Sequence, residues 1–578
     1  MLKTFARACG LAAALLTALP ALAQPPRRAA EAPFDLVIWG GPIHTADDAR
    51  PTAQAVGVSG GRIAFVGERA AARRRVTART QVVDLRGASL YPGFTDSHAH
   101  LSGIGEREVT LNLEGTASLA ALVEAVRGRV AASRPGELIV GRGWIETRWP
   151  ERRFPTRADL DAVAPNHPVL LTRADGHALV ANSAALTRAG VTERTAAPSG
   201  GEILKDAAGR PTGMLIDDAM GLVASLRTAP SREQRLEHLR RGMAVETAYG
   251  WTGVHNMSVH WDEVELMEAM AREARAPLRV YNAVDAAFAP QLFASGPRAT
   301  PDGRIVTRTI KVYADGALGS RGALLLAPYA DAPGSRGLTR LSEAQALPLY
   351  REALRRGIQI ATHAIGDAAN RQVLDLYEEV LRGQAYNADR LTFQRRVANR
   401  PASPRWRIEH AQVLSPQEIP SFARLGVIAS MQPSHAIGDL HFAPARLGQE
   451  RLAGAYAWRA LLDANARVVF GSDAPVERGD PLIEFYAAVA RRDLRGFSGP
   501  GWHPEQAVDR QAALRAFTLW PAYARFAENE LGSITVGKRA DLTAFSVDLM
   551  SAPVTEIPRG RALLTVVDGR VVHRARGW

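Results

Sequence analysis

Leu90-Tyr91-Pro92-Gly93-Phe94-Thr95-Asp96-Ser97-His98-Ala99-His100 reads as a short apolar strand that ends on two histidines. Alternate residues of a strand point to the same side, so both rings can reach one cation. Alone the pair is a weak signal, and the rest of the chain supplies its context. His363 ends the apolar run 358–362, and His410 ends the run 406–409. Asp473 follows 468–471 and Ser472, and Lys311 lies within Thr309-Ile310-Lys311-Val312-Tyr313. Five separate strands thus offer a metal-competent group at or near their C-terminal ends. In a β/α barrel those ends converge on one mouth, where active sites sit.

The spacing fits such a barrel. Lys311 to His363 is 52 residues and His363 to His410 is 47, each one strand–helix step with elaborated loops. His410 to Asp473 is 63 and spans a further apolar run at 427–431, so it covers two steps. His100 to Lys311 is 211, far more than three steps need, which predicts an insertion after the first barrel strand. Segments 136–157 and 175–213 fit the alternation poorly and belong to that insertion, placed at about 102–230. Amphipathic patterns at 343–356 after Ser342, at 371–382, and at 417–425 after Pro416 supply helices between strands.

Both ends read as short strands instead. Runs 35–39, 55–58, 62–66 and 81–84 alternate or run apolar around a Gly60-Gly61 turn. Near the C-terminus, 541–548 and 563–572 read alike, with Asp568-Gly569 as a hairpin turn. The expected architecture is α/β: a (β/α)8 TIM-like barrel over 93–531, plus a composite β-sandwich built from 34–92 and 532–578.

Composition narrows the function classes. Apolar residues are 46% and charged residues 22% of 578, which excludes a mostly disordered chain. The net charge is +12, but the basic residues are scattered among 59 acids instead of clustering on one element as a nucleic-acid patch does. The lone cysteine, Cys9, lies in a leader with Lys3, Arg7, a short apolar run and Ala21-Leu22-Ala23. A charged start, a short apolar middle and a small-x-small end predict a signal peptide over 1–23, cleaved near Ala23, and a periplasmic or secreted product. The mature chain then has no cysteine for disulfides, nucleophiles or thiolate sites.

Lys311 is one of four lysines in a chain of 71 basic residues. An ammonium does not bind metal. A neutral buried amine can take up carbon dioxide as a carbamate, which bridges two cations, and arginine cannot do this. A buried, salt-bridged lysine is the plain alternative. Taken singly, a strand-end histidine is more often a satisfied core residue, and Asp473 after Gly471-Ser472 is more often a cap. Their joint occurrence at strand ends is what argues for a metal site.

These stretches carry a resemblance. Pro92 to His100 is similar to the opening motif of the amidohydrolase superfamily. Lys311-Val312-Tyr313-Ala314-Asp315-Gly316, His363-Ala364-Ile365-Gly366-Asp367, Arg407-Ile408-Glu409-His410-Ala411-Gln412, Ser430-Met431-Gln432-Pro433 and Gly471-Ser472-Asp473-Ala474-Pro475 together resemble amidohydrolase family 3, the YtcJ-like branch that includes N-substituted formamide deformylases. The likeness runs from about Asp35 to Val572. It implies that His98, His100 and Asp473 hold one divalent metal, zinc by preference. His363 and His410 would hold a second, with carboxylated Lys311 between. A one-metal arrangement, with His410 polarising the substrate, stays open.

The implied activity is hydrolysis of a non-peptide amide, N-formyl or N-acyl C–N bond of a small molecule, with Asp473 as proton shuttle and His410 beside it. His177, Gln432 and Asp315 are the expected substrate-binding residues. Rivals are a deaminase of an aminated ring, an esterase or lactonase, and a periplasmic binding protein on a decayed barrel. The partner expected is a small-molecule substrate, with no nucleic acid and no membrane anchor; homo-oligomerisation is left open.

Overall fold

The computed structural model describes residues 32–382, 403–498 and 502–578. The leader expected over 1–23 lies outside the described residues. Among the described residues no helix is long and apolar enough to cross a membrane.

Eight parallel strands form the central sheet: β1 (Phe94–Ala99), β2 (Trp251–Val259), β3 (Arg279–Asp285), β4 (Ile305–Tyr313), β5 (Gln359–Ala364), β6 (Arg407–His410), β7 (Ile428–Met431) and β8 (Arg467–Phe470). Each pairs with its sequence neighbour from β1 through β8. The seam between β8 and β1 is bridged by the Asp473 N–H, which donates to His98 O at 2.6 Å. The Ser472 N–H donates to Asp96 Oδ1 at 2.9 Å beside it. The result is the TIM-like barrel that the strand–helix alternation predicts.

Local chemistry explains the helices between strands. Glu343–Arg355 starts at Ser342, whose side chain accepts from the Gln345 N–H in a reciprocal capping box. Arg232–Tyr249 uses Ser231 and Gln234 likewise and stops at Gly250, whose φ of +106° is cheap only without a Cβ. The helix expected at 371–382 begins earlier, at Asp367 (Asp367–Leu381). Gly366 caps it, and Asp367 Oδ1 accepts from the Leu326 N–H, so the first turn is recruited by the β4–β5 loop and not by apolar periodicity.

Both chain ends meet in one mixed sheet. Ser89–Pro92 pairs antiparallel with Leu542–Phe545, and the strands Leu36–His44, Thr52–Ser59, Arg62–Gly67, Gln81–Asp84, Ala562–Val567 and Arg570–Arg574 complete it. The Arg62–Gly67 edge bonds to the segment that leads into Leu542–Phe545: the Ile63 N–H donates to Lys538 O, and the Gly537 N–H donates to Ile63 O. Leu36, Ile38, Val56, Leu90, Leu542 and Val566 pack inside.

A buried cation ties this sheet to the barrel. Arg279 on β3 is 1% exposed and donates to Asp541 and Asp568, while Arg304 donates to Asp568 at 2.6 Å. Removing one partner of a buried ion pair costs about 3–5 kcal/mol because the other charge stays desolvated. Arg279→Leu should therefore lower the thermal unfolding midpoint clearly, read by circular dichroism. An unchanged midpoint would show that the remaining cations on Asp568, Arg304 and Arg539, suffice.

Between β1 and β2 the chain builds a six-stranded sheet from Leu111–Asn112, Ile139–Trp144, Val169–Arg173, Ala178–Ala181, Gly201–Lys205 and Pro211–Asp217. It has apolar packing of its own around Trp144, Trp149, Leu160 and Leu171. These strands fall inside the span expected for the insertion, and the sheet delivers side chains to the barrel mouth.

Candidate metal centre

His98 ends β1 and His100 follows it, so the strand's alternation sends both rings to the mouth. His100 Nε2 lies 3.1 Å from Asp473 Oδ1, and His98 Nε2 lies 3.4 Å from the same oxygen. Ligand atoms of these three residues lie within 4.8 Å of one another, a spacing that could hold a cation. His363 at the end of β5 and His410 at the end of β6 put their ring centroids 4.6 Å apart. The His410 ring is 4.9 Å from that of His98. Lys311 on β4 places Nζ 3.4 Å from His98 Nε2. The six groups line one cavity of about 560 Å³.

The ring nitrogens fit a cation. His98 Nδ1 is 2.6 Å from Glu409 Oε2, His100 Nδ1 is 3.1 Å from Met257 O, and His410 Nδ1 is 2.9 Å from Gln432 Oε1. Each acceptor calls for a proton on Nδ1, which leaves the Nε2 lone pair for a metal. His363 is turned the other way. Its Nε2 faces Gly316 O and Asp315 Oδ1, both at 3.4 Å, so Nδ1 is the nitrogen left to coordinate.

Charge states agree with that donor set. Burial holds His98, His363 and His410 well below the usual imidazole range, so they are neutral at pH 7. Burial pushes Lys311 down to about 8, against the pull of Glu409 and Asp473, so a free-amine fraction exists at neutral pH. Burial raises Asp473, but the adjoining His98 and His100 rings outweigh it and the net shift is downward. Backbone strain marks the same spot: Asp473 has φ +60° and His410 φ +74°. Non-glycine residues adopt this region at a cost of about 1–3 kcal/mol and concentrate at active sites.

Two groups expected to touch substrate do not line the cavity. Asp315 is fully buried, and its carboxylate accepts from the backbone N–H groups of Leu324, Ile365 and Gly366. It fastens the β4 loop to the β5 loop. Gln432 orients His410, as above, and is a positioning residue. His177 does line the cavity, 5.2 Å from the His363 ring between centroids, with Nδ1 2.6 Å from buried Asp217. Burial lowers the His177 pKa, yet Asp217 outweighs it and the net shift is upward. Gly316 and Gly322 make that dyad possible, because a Cβ on either would sit 2.3 Å from Asp217 Oδ2.

Sequence reading missed Glu409 and His435. Glu409 is buried between His98 and Arg407, whose Nε lies 2.7 Å from Glu409 Oε1. An acid inside a barrel strand, two residues from an arginine, was the available signal. His435, on the helix Pro433–Asp439, stacks on His410 and could join it and Asp473 around a cation. It has no strand context to announce it. Gln432→Leu should lower metal affinity or activity about 10–100-fold, as loss of a hydrogen bond behind a ligand does. Metal titration and kcat check this, and wild-type values for both would remove Gln432 from the account.

A second cavity of about 890 Å³ shares His177, His410 and Asp473 and extends past Leu318, Phe442 and Leu494. The centre therefore opens to two lobes.

A family model described as the amidohydrolase family matches residues 81–573. The chain is 31% identical over 550 residues to YtcJ of Bacillus subtilis, covering 93% of this chain and 99% of that one. It is 31% identical over 558 residues to an N-substituted formamide deformylase of Arthrobacter pascens, covering 94% and 99%. A crystal structure of a metal-dependent hydrolase from Pyrococcus furiosus superposes with a TM-score of 0.67 at 26% identity, covering 89% of this chain and 100% of that one. With a match of that extent, over a barrel whose mouth gathers the metal-competent side chains, the chain belongs to the amidohydrolase family and is a hydrolase of the metal-dependent kind.

Proposed function

We propose that this hydrolase cleaves a non-peptide amide bond, of N-formyl or N-acyl type, in a small molecule, with zinc as its cation. The observation that carries the reading is the position of Asp473. Its carboxylate is ionised and faces His98 and His100 on one side and His435 on the other, within both lobes of the cavity. His98, His100 and Asp473 would hold one divalent cation and His363 and His410 a second, which would supply the Lewis acidity that lowers the pKa of water and polarises a carbonyl.

This chain's residues do the rest. Asp473 accepts the proton of the attacking water and returns it to the leaving nitrogen. His410, held at Nδ1 by Gln432, would offer its Nε2 lone pair to the second cation. Lys311, as a neutral amine, adds to carbon dioxide with loss of one proton and forms the carbamate between the two ligand sets. His177, fixed by Asp217, closes the far wall. Two lobes on either side of Asp473 suit a substrate that extends in both directions from the scissile bond. The Arthrobacter relative is an N-substituted formamide deformylase, which supports the same bond class.

The test is product analysis. Zinc-loaded protein incubated with N-formyl and N-acyl amines should release the amine and the acid. Release of ammonia from aminated rings with no amide cleavage would overturn the reading. We place the enzyme outside the cytoplasm, on the strength of the leader at 1–23. The mass of protein recovered from the periplasm should begin near residue 24, and a retained Met1 would refute export.

A further inference from the structure

Most charged groups around the 560 Å³ cavity are paired; beyond Lys311, Arg142 and Glu263 have no ion-pair partner among the described residues. Asp473 faces His98 and His100, Asp217 holds His177, Asp175 holds Arg173 and Arg340 holds Asp218. Arg142 lines the same cavity and has no carboxylate within ion-pair distance among the described residues. Its one hydrogen bond runs from Nη2 to Ala174 O at 3.2 Å, and its buried Nε has no acceptor. The acids that act on it from farther away are Glu106, Asp473 and Asp175. They are engaged with Arg227, His100 and Arg173 respectively.

The backbone holds this arginine firmly. Arg142 sits on Ile139–Trp144, in register with Thr172 on one side and Asn112 on the other. Its own carbonyl accepts from the Leu113 N–H at 2.8 Å. Glycines flank it. A Cβ at Gly141 would lie 2.9 Å from Leu111 O, and one at Gly143 would lie 2.9 Å from Glu114 N. The strand is thus packed against its neighbour as closely as glycine allows, and the long side chain is the part that reaches the cavity.

A guanidinium whose buried Nε has no acceptor is costly unless a ligand supplies the missing partner and charge. Its planar fork matches a carboxylate. One guanidinium balances one negative charge, whereas a phosphate dianion would leave a charge over. We infer that the substrate carries a carboxylate bound by Arg142, so that the amide cleaved belongs to the N-formyl or N-acyl amino acid class. This rests on the amide-hydrolase reading above and deepens it. Arg142 is a substrate-binding residue supplied by the insertion and not by the barrel.

Two compounds that differ by the carboxylate test this: racemic N-formylphenylalanine and N-formyl-2-phenylethylamine. For zinc-loaded wild type, kcat/KM should favour the acid. In Arg142→Met the acid-to-neutral ratio should fall about 100-fold, as expected for loss of a bidentate charged contact. Arg142→Lys keeps the charge but not the fork, and its ratio should fall about tenfold; it carries the test if the methionine variant does not fold. Binding gives a readout without turnover. Calorimetry on zinc-loaded Asp473→Asn protein should show the acid bound more tightly than the neutral compound, and adding Arg142→Met should remove the preference.

A wild type with no preference for the acid, or a preference that survives both Arg142 variants, overturns the inference. If the neutral formamide is cleaved without any such preference, the amide reading stands and this one falls. If the acid binds through Arg142 but neither compound is cleaved, the carboxylate site stands, and the amide reading falls together with the amino acid amide class drawn from it.

Discussion

Asp473→Asn protein should be folded and almost inactive. A positioned proton acceptor is worth about 10²–10⁴-fold in rate, and Asn cannot take the proton from water. The substitution is nearly isosteric. It also preserves the backbone, because Asn tolerates φ near +60° as Asp does. The contact that closes the barrel seam is made by the Asp473 N–H, which Asn retains. Loss of an anionic ligand should weaken the metal site as well, so turnover is measured at saturating zinc. Circular dichroism and the unfolding midpoint report the fold, and kcat reports the chemistry. Wild-type kcat in this variant would rule Asp473 out as the proton shuttle.

Lys311→Arg should lose metal and activity together. The guanidinium stays protonated and cannot form a carbamate. It would place a fixed cation 3.4 Å or so from the nitrogen that His98 offers to metal, where Nζ now lies. Metal content should fall from about two equivalents toward one or none, following the two-metal arrangement. Lys311→Ala leaves a gap instead of a charge, so excess acetate could occupy the bridge and partly restore turnover. A salt-bridge lysine predicts the opposite order, with arginine tolerated better than alanine and acetate without effect. Full metal loading and turnover in Lys311→Arg would rule the carbamate out.

The barrel and the first set of candidate ligands were legible because both depend on local pattern. Short apolar runs ending in His98, His363 or His410 announce a strand and its C-terminal group in the same stretch. What stayed hidden depends on distance along the chain. Glu409 meets His98 across 311 residues, and no local pattern pairs them. Gln432 and Asp315 lie beside His410 and His363, but their partners decide their work. One orients His410 and the other is consumed by backbone amides. Arg142 lies in an insertion whose strands are short and irregular, so its arrival at the mouth follows from tertiary packing alone. His435 needed the turn of Pro433–Asp439 to carry it over His410.

The glycines show the same division. Gly316 in the Asp315-Gly316 pair admits Asp217, which holds His177. Ala at 316 would strike that carboxylate. The insertion and the barrel are therefore matched through absent side chains as much as through present ones.

Metal content and amide turnover, measured on the same preparation, test the central claim most directly. Purified protein should carry one to two equivalents of divalent metal and release amine from an N-formyl or N-acyl substrate. Chelation should abolish that release, and zinc should restore it. Protein that holds its full metal complement and cleaves no amide C–N bond across such a series would contradict the account.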